Sequence, residues 1–227
     1  MPDTDPGAPV PSVLRQVLNE ARDFGFLGPG PVETHIEHAE GFVALARRHS
    51  PADADAGADA ARFLDLGSGG GLPGLVLATM WPTCSLVLLD AAVRRTEFLR
   101  QAVVRCGLED RVTVVTDRAE VAGRDPELRG QFDGVVVRSF GPPAVVAECA
   151  APFLKKGACV IVSEPPESMD RSLVAGIRWE APELSQVGLE PIEFVRENFG
   201  YQVLRQREIC PDRFPRRNGV PAKHPLF

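Results

Sequence analysis

The segment Phe63-Leu64-Asp65-Leu66-Gly67-Ser68-Gly69-Gly70-Gly71-Leu72-Pro73-Gly74 confines the chain to few folds. A short apolar run, residues 62–66, leads into a turn so rich in glycine that its backbone can take torsions and close approaches that a Cβ would block. A second apolar run, residues 75–80, leaves the turn with the pattern of a helix. Strand, tight glycine turn and helix in that order form the opening unit of an open α/β sheet, which binds ligands at the carboxyl ends of its strands. Amide groups at the start of the helix can meet an anionic group there.

The rest of the chain repeats the alternation. Strands are expected at residues 85–89, running into Asp90, and at 111–115, 132–137 and 157–162, with helices at 94–106 and 143–154. Alternation at this spacing predicts a doubly wound α/β fold with a largely parallel, Rossmann-like sheet. Residues 191–195 and 201–205 lie close in sequence and predict a C-terminal antiparallel hairpin at a sheet edge. Upstream, Val13, Leu14, Val17 and Leu18 fit one apolar helix face, with Ser12 as its cap. A Gly/Pro loop at 24–31 and a second helix at 33–49, presenting Ile36, Phe42, Val43, Leu45 and Ala46, follow. Residues 1–11 read as a disordered start and 50–61 as an acidic linker. The expected division is therefore an N-terminal helical extension with its linker, 1–61, and a ligand-binding domain with a basic tail, 62–227.

Hydrophobic residues make up 44% of the 227, enough for a sizeable core, and no apolar run approaches a membrane span. The acidic, Pro-rich start lacks a basic and apolar leader, so a cytoplasmic protein is expected. A net charge of −6 argues against nonspecific coating of nucleic acid. The end is different: from Arg205 onward, six Arg and Lys residues face two carboxylates. This stretch reads as an extended arm over the site or onto RNA. Five cysteines, at 84, 106, 149, 159 and 210, show no C-x-x-C spacing and read as buried free thiols. His35 and His38 lie three apart with no third ligand following, so no metal is expected.

Two ligands fit the glycine turn. Gly69-x-Gly71-x-x-Gly74 matches the dinucleotide fingerprint. Asp65, however, precedes Gly67 by two residues and gives Asp-x-Gly-x-Gly-x-Gly, an arrangement like that of methyltransferases. The chain also offers no second domain to hold a hydride-transfer substrate. Both points favour S-adenosylmethionine over a nicotinamide. Asp90 could accept hydrogen bonds from the ribose of either.

The pieces LDLGSGGGLPGLVLA (64–78), LLDAAVRRTEFL (88–99), RAE (118–120), FDGVVVRSF (132–140) and the tail FPRRNGVPAKHPL (214–226) together go far beyond a glycine pattern. By these pieces the chain resembles the 16S rRNA guanine-N7 methyltransferase G family, also called glucose-inhibited division protein B. The resemblance implies a class I methyltransferase sheet, S-adenosylmethionine as cofactor, and ribosomal RNA or the small ribosomal subunit as partner. It implies that Gly67, Gly69 and Leu72 line the methionine side, that Asp90 takes the ribose, and that Ala119 and Glu120 flank the adenine; Asp65 and Gly71 of the same turn are further expected cofactor contacts. Arg138 would stand at the methyl-transfer mouth, as catalytic residue and cofactor contact, and Arg95 would match a basic residue of the following helix.

The chain departs from the family in three places. Val137-Arg138-Ser139 stands for Ser-Arg-Ala, Ser163-Glu164-Pro165-Pro166 stands where a Lys-Gly is usual, and the Asn-Leu-Thr signature is missing. A carboxylate at 164 in place of a cation is expected to repel phosphate. An acceptor other than ribosomal RNA, such as a small molecule, and a cofactor-binding protein without catalysis stand as alternatives. Residues 163–166 are similar to the Pro-Pro motif of amino-methylating enzymes. That motif follows the fourth strand, however, and this one follows the fifth, so it reads as a rigid loop. Guanine N7 carries a free lone pair, so the expected reaction needs alignment and exclusion of water rather than a general base. Arg138 is expected to pair with an RNA phosphate and Phe140 to stack on a base.

Overall fold

The computed structural model describes residues 10–50, 61–166 and 177–227. Residues 1–9 of the expected disordered start and 51–60 of the acidic linker lie outside the described residues, whereas Val10 is ordered and buried. Helix α1 (Ser12–Asp23) buries Leu14, Val17 and Leu18 of its expected stripe and adds Ala21, while Val13 is only partly buried. Its entry corrects one expectation: Pro11 occupies the cap position, Ser12 is already inside the first turn, and no side chain caps the helix. Helix α2 (Val32–His49) buries Ile36, Phe42, Val43, Leu45 and Ala46, and ends in Arg47, Arg48 and His49, where cations suit the negative end of the helix dipole.

The sheet follows in the expected alternation. Strands β1 (Arg62–Leu66), β2 (Ser85–Asp90), β3 (Val112–Thr116), β4 (Phe132–Val137) and β5 (Leu154–Glu164) are mutually parallel. They are connected through α3 (Gly74–Met80), α4 (Val93–Arg105), the short α5 (Ala119–Ala122) and α6 (Pro143–Ala150). Strands β6 (Leu189–Arg196) and β7 (Gly200–Gln206) add the antiparallel hairpin. The seven-stranded order is β3-β2-β1-β4-β5-β7-β6. Helix α6 stops short of its expected end: Ala151–Phe153 tightens into a 3-10 turn around Pro152, which has no N–H for the helical ladder, and β5 starts at once.

Both faces of the sheet are covered, so its central strands read as continuous apolar runs. Phe63, Leu86, Leu88, Val136 and Ile161 enter a core shared with α1, α2, α3 and α4. Their neighbours Leu64, Leu66, Val87, Val135, Val137 and Val160 enter a second core with α5 and α6. Four cysteines are buried, Cys106 is partly exposed, and all five are free. Among the described residues, no helix is long and apolar enough to cross a membrane.

The tail after β7 is not an extended arm. Cys210 and Phe214 enter the second core. Arg129 donates to the carbonyls of Cys210, Pro211 and Phe214 at 2.8–3.1 Å. Arg216 forks onto Glu148 of α6, and a last helical turn, α7 (Val220–Lys223), closes the chain. The cations expected to reach outward are partly spent on holding the tail down.

Candidate functional site

Strand order reverses beside β1, the position at which open α/β sheets bind ligands. The register places Leu66 level with Leu89 on one side and Val137 on the other. The next residues along each strand, Gly67, Asp90 and Arg138, therefore emerge together at the carboxyl edge. Three of the residues singled out in the sequence are gathered there by β-pairing alone.

The glycine turn is built as the sequence requires. Gly67 has φ +76°, and a Cβ on it would sit 2.6 Å from the Phe140 ring. Gly74 opens α3, and a Cβ there would lie 2.6 Å from Asp65 Oδ2. The amides of Gly67 and Ser68 both donate to Leu89 O, at 2.8 and 3.0 Å. Gly69 N–H donates to Asp90 Oδ2 at 2.9 Å, and Ala92 N–H donates to Asp90 Oδ1 at 2.8 Å. Arg95, on α4, reaches Asp90 at 3.5 Å. The Asp90 carboxylate is thus oriented at the loop, with lone pairs left over for hydroxyl donors. Leu72 turns its side chain into the first core, so what it offers a ligand is backbone.

Asp65 divides its two oxygens. Oδ2 accepts from Gly74 N–H at 2.9 Å, while Oδ1 is buried with no hydrogen-bond partner. Burial pushes its carboxyl up to about 7, against the opposing pull of the Gly74 amide.

Arg138 has an arrangement that strand-level reading missed. Its Nη2 donates to His35 Nδ1 at 2.6 Å, and His35 Nε2 faces Gly28 O at 3.1 Å. A carbonyl only accepts, so Nε2 carries the proton and Nδ1 is the acceptor. Burial, with the guanidinium beside it, lowers the His35 pKa and keeps the ring neutral. Arg138 Nη1 is buried without a partner. The expected extension 1–61 therefore supplies part of the site: α2 brings His35 and His38, and the 24–31 loop packs Leu27 against the turn at Gly70. The spacing of His35 and His38 is visible in the sequence, but nothing in it points to an arginine 103 residues away.

A cavity of about 500 Å³ opens beside this row, lined by His35, Arg138, Phe140, Glu164, Arg178 and Arg196, among others. Phe140 is half-buried between the cavity and Gly67. Ser139, between it and Arg138, has φ +55°, unique among the described non-glycine residues. Such strain persists where surrounding structure over-determines it, as at binding sites. Glu164 does not act as expected. It is buried, accepting from Trp179 Nε1 at 2.8 Å and Arg178 Nη1 at 3.1 Å, so its charge is neutralised and faces inward. Ala119 and Glu120 lie at the start of α5, after β3. The Glu120 carboxylate holds Gly219 N–H of the tail at 2.9 Å and Arg118 at 3.2 Å. Among the described residues, no group of three metal-ligating side chains is assembled.

The fit to S-adenosylmethionine can be judged from atoms that lack partners. Its amino-acid end carries an ammonium and a carboxylate. Besides His38 Nε2, the site holds a buried unpaired acceptor, Asp65 Oδ1, and a buried unpaired donor, Arg138 Nη1. Buried polar atoms are rarely left unsatisfied, and these two have the polarity the zwitterion would complete. The residues present fit the group.

The family model for rRNA small subunit methyltransferase G matches residues 53–169. The Ribosomal RNA small subunit methyltransferase G of Prochlorococcus marinus (strain MIT 9303) is 37% identical over 169 residues, covering 73% of this chain and 68% of the relative. That of Deinococcus deserti is also 37% identical, over 170 residues, with the same shares. Among solved structures, the O-methyltransferase TomG from Streptomyces achromogenes has a TM-score of 0.61 at 17% identity, covering 89% of this chain and 92% of its own. The O-methyltransferase from Bacillus cereus matches with a TM-score of 0.61 at 17% identity over 87% of this chain and 91% of its own. These structures share the fold. The chain belongs to the rRNA small subunit methyltransferase G family.

Proposed function

We propose that the protein transfers the methyl group of S-adenosylmethionine to N7 of a guanine in small-subunit ribosomal RNA, in the cytoplasm. The observation that carries this reading is the single row of Gly67, Asp90 and Arg138 at the strand-order reversal, opening into a cavity with Phe140 on its wall. When bound, the cofactor supplies an electrophilic methyl on a sulfonium. The chain's own part is to place and dry the reactants. Asp90, fixed by two backbone amides, takes the ribose hydroxyls. Asp65 Oδ1 and Arg138 Nη1 take the amino-acid end. Phe140 offers a ring for a base inserted from RNA. No residue needs to remove a proton, since the attacking nitrogen has none.

A non-RNA acceptor is favoured in the sequence by the acidic net charge and by Glu164 as a group repelling phosphate. With that carboxylate buried against Arg178 and Trp179, the cavity presents arginines instead. The test of the reading is labelled-methyl transfer into small ribosomal subunits from cells lacking the guanine-N7 enzyme.

A pH dependence follows from Asp65. Its raised pKa means the free protein holds a proton there below about 7. The stability this contributes is present at low pH and is lost as pH rises through that value. An incoming ammonium favours the carboxylate and expels the proton. The Kd for S-adenosylhomocysteine is therefore expected to weaken up to about tenfold per pH unit below 7 and to level off above it. Calorimetric titration from about pH 5.5 to 8 reads this directly, and Asp65→Asn is expected to flatten the profile. A wild-type Kd constant across that range would detach Asp65 from the ammonium.

A further inference from the structure

The cavity's charged lining is unusual for a chain of net charge −6: three guanidiniums, on Arg138, Arg178 and Arg196, stand with one carboxylate, Glu164. Arg138 is engaged by His35. The other two flank the Pro165-Pro166 loop, and each is held in place. Arg178 Nη1 donates to Glu164 Oε2 at 3.1 Å, and that carboxylate is pinned from its other side by the buried Trp179 indole. Arg196 Nη2 donates to Pro165 O at 3.0 Å, and its guanidinium lies 5.5 Å from the centre of the Phe194 ring. A Cβ on Gly200 would come within 2.6 Å of Arg196 Nη2, so glycine there leaves room for the side chain to fold over the strand. Glu164 has 1% of its side chain exposed, so it anchors Arg178 without offering the cavity a negative face.

Among the described residues, each of these arginines makes one side-chain hydrogen bond. A guanidinium has five N–H donors in a planar fork, so most of each remains for a ligand. Two pre-oriented forks beside an aromatic wall are suited to one chemistry, a phosphate ester whose base enters the cavity.

We infer that Arg178 and Arg196 form a phosphate subsite at the cavity, gripping the phosphate of the acceptor nucleotide or of its immediate neighbour while the base faces Phe140. The inference rests on the RNA reading above. It also assigns Glu164 a role: the carboxylate locks Arg178 for phosphate instead of repelling it. The Ser163–Pro166 segment is then a stiff mount between two cations.

The test uses the full chain with small ribosomal subunits across a potassium chloride series. Arg196→Gln removes one fork. Because Arg178→Gln alone would strand a buried carboxylate, the second variant is the pair Glu164→Gln with Arg178→Gln, which keeps hydrogen-bonding amides in both places. Each variant is expected to raise KM for the subunit about tenfold near 0.15 M salt and to lower the salt slope of binding by about one. The Kd for S-adenosylhomocysteine should stay within about twofold, since neither side chain belongs to the cofactor row. Guanosine 5′-monophosphate as competitor separates the sources of phosphate. Inhibition of the wild type that both variants lose assigns a subsite open to a terminal phosphate. A changed slope without such inhibition assigns one for the RNA backbone. Unchanged KM and slope in both variants, or a parallel fall in cofactor affinity, overturns the subsite. Absence of methyl transfer by the wild type at every salt concentration overturns instead the RNA reading on which it rests.

Discussion

Arg138→Ala is expected to lower kcat/KM for methyl transfer by about 100-fold or more while the protein stays folded. The side chain carries two tasks at one point. Nη2 is fixed on His35, and that histidine is itself fixed on Gly28 O. Nη1, buried and unpaired, is left to meet an anionic group. Alanine removes both donors and opens the wall between the cofactor row and the cavity to water, weakening every charge interaction inside. Lysine cannot substitute, because a point ammonium cannot serve His35 and a second acceptor in the fork geometry of a guanidinium. Arg138→Lys should therefore recover little. His35→Ala should lose less than Arg138→Ala, since the guanidinium remains but is no longer aimed. Steady-state kinetics beside a thermal melt separates the cases. Activity within about threefold of wild type in Arg138→Ala would remove the residue from the site.

The second large effect concerns stability. Arg216→Ala is expected to cost roughly 3–5 kcal/mol in urea unfolding, because it strips a buried carboxylate of its guanidinium and leaves it only a backbone amide. Glu148 is fully buried on α6, and Arg216 supplies its backbone N–H, Nε and Nη2 at 2.6–3.1 Å. The side-chain donor bonds hold the Arg216 pKa above its ordinary value. The loss should extend beyond the tail: Gly219, three residues on, donates to Glu120, which is expected beside the adenine, so cofactor affinity should weaken as well. Glu148→Gln combined with Arg216→Ala should recover much of the stability, because the carboxylate charge is gone. A loss below about 1 kcal/mol in Arg216→Ala would mean that the tail is not held by this pair.

The fold was legible because its signals are local. Apolar strands, the glycine turn and the edge hairpin each lie within a few residues, and β1 and β4 fall on their predicted bounds. The row of Gly67, Asp90 and Arg138 could be read because parallel strands of similar length end together. What escaped depends on partners distant in sequence. Glu148 sits in a short Ala- and Val-rich helix and gives no hint of the Arg216 that meets it 68 residues later. A run of Arg, Pro and Gly reads as an extended arm until its buried acceptor is known. Glu164 looked repulsive because Arg178 and Trp179, which neutralise and cover it, are placed by the fold and not by a motif. Asp65 was read as a ligand contact. Its backbone-holding oxygen depends on Gly74 coming close, which the turn geometry decides.

The most direct test is methyl incorporation from labelled S-adenosylmethionine into small ribosomal subunits lacking the guanine-N7 modification, followed by nucleoside analysis. The account predicts label in 7-methylguanosine at one position, abolished in Asp90→Ala, whose carboxylate orients the turn through Gly69 and Ala92. No incorporation by wild-type protein that still binds S-adenosylhomocysteine would contradict it, and would mean that this cofactor cradle serves another acceptor.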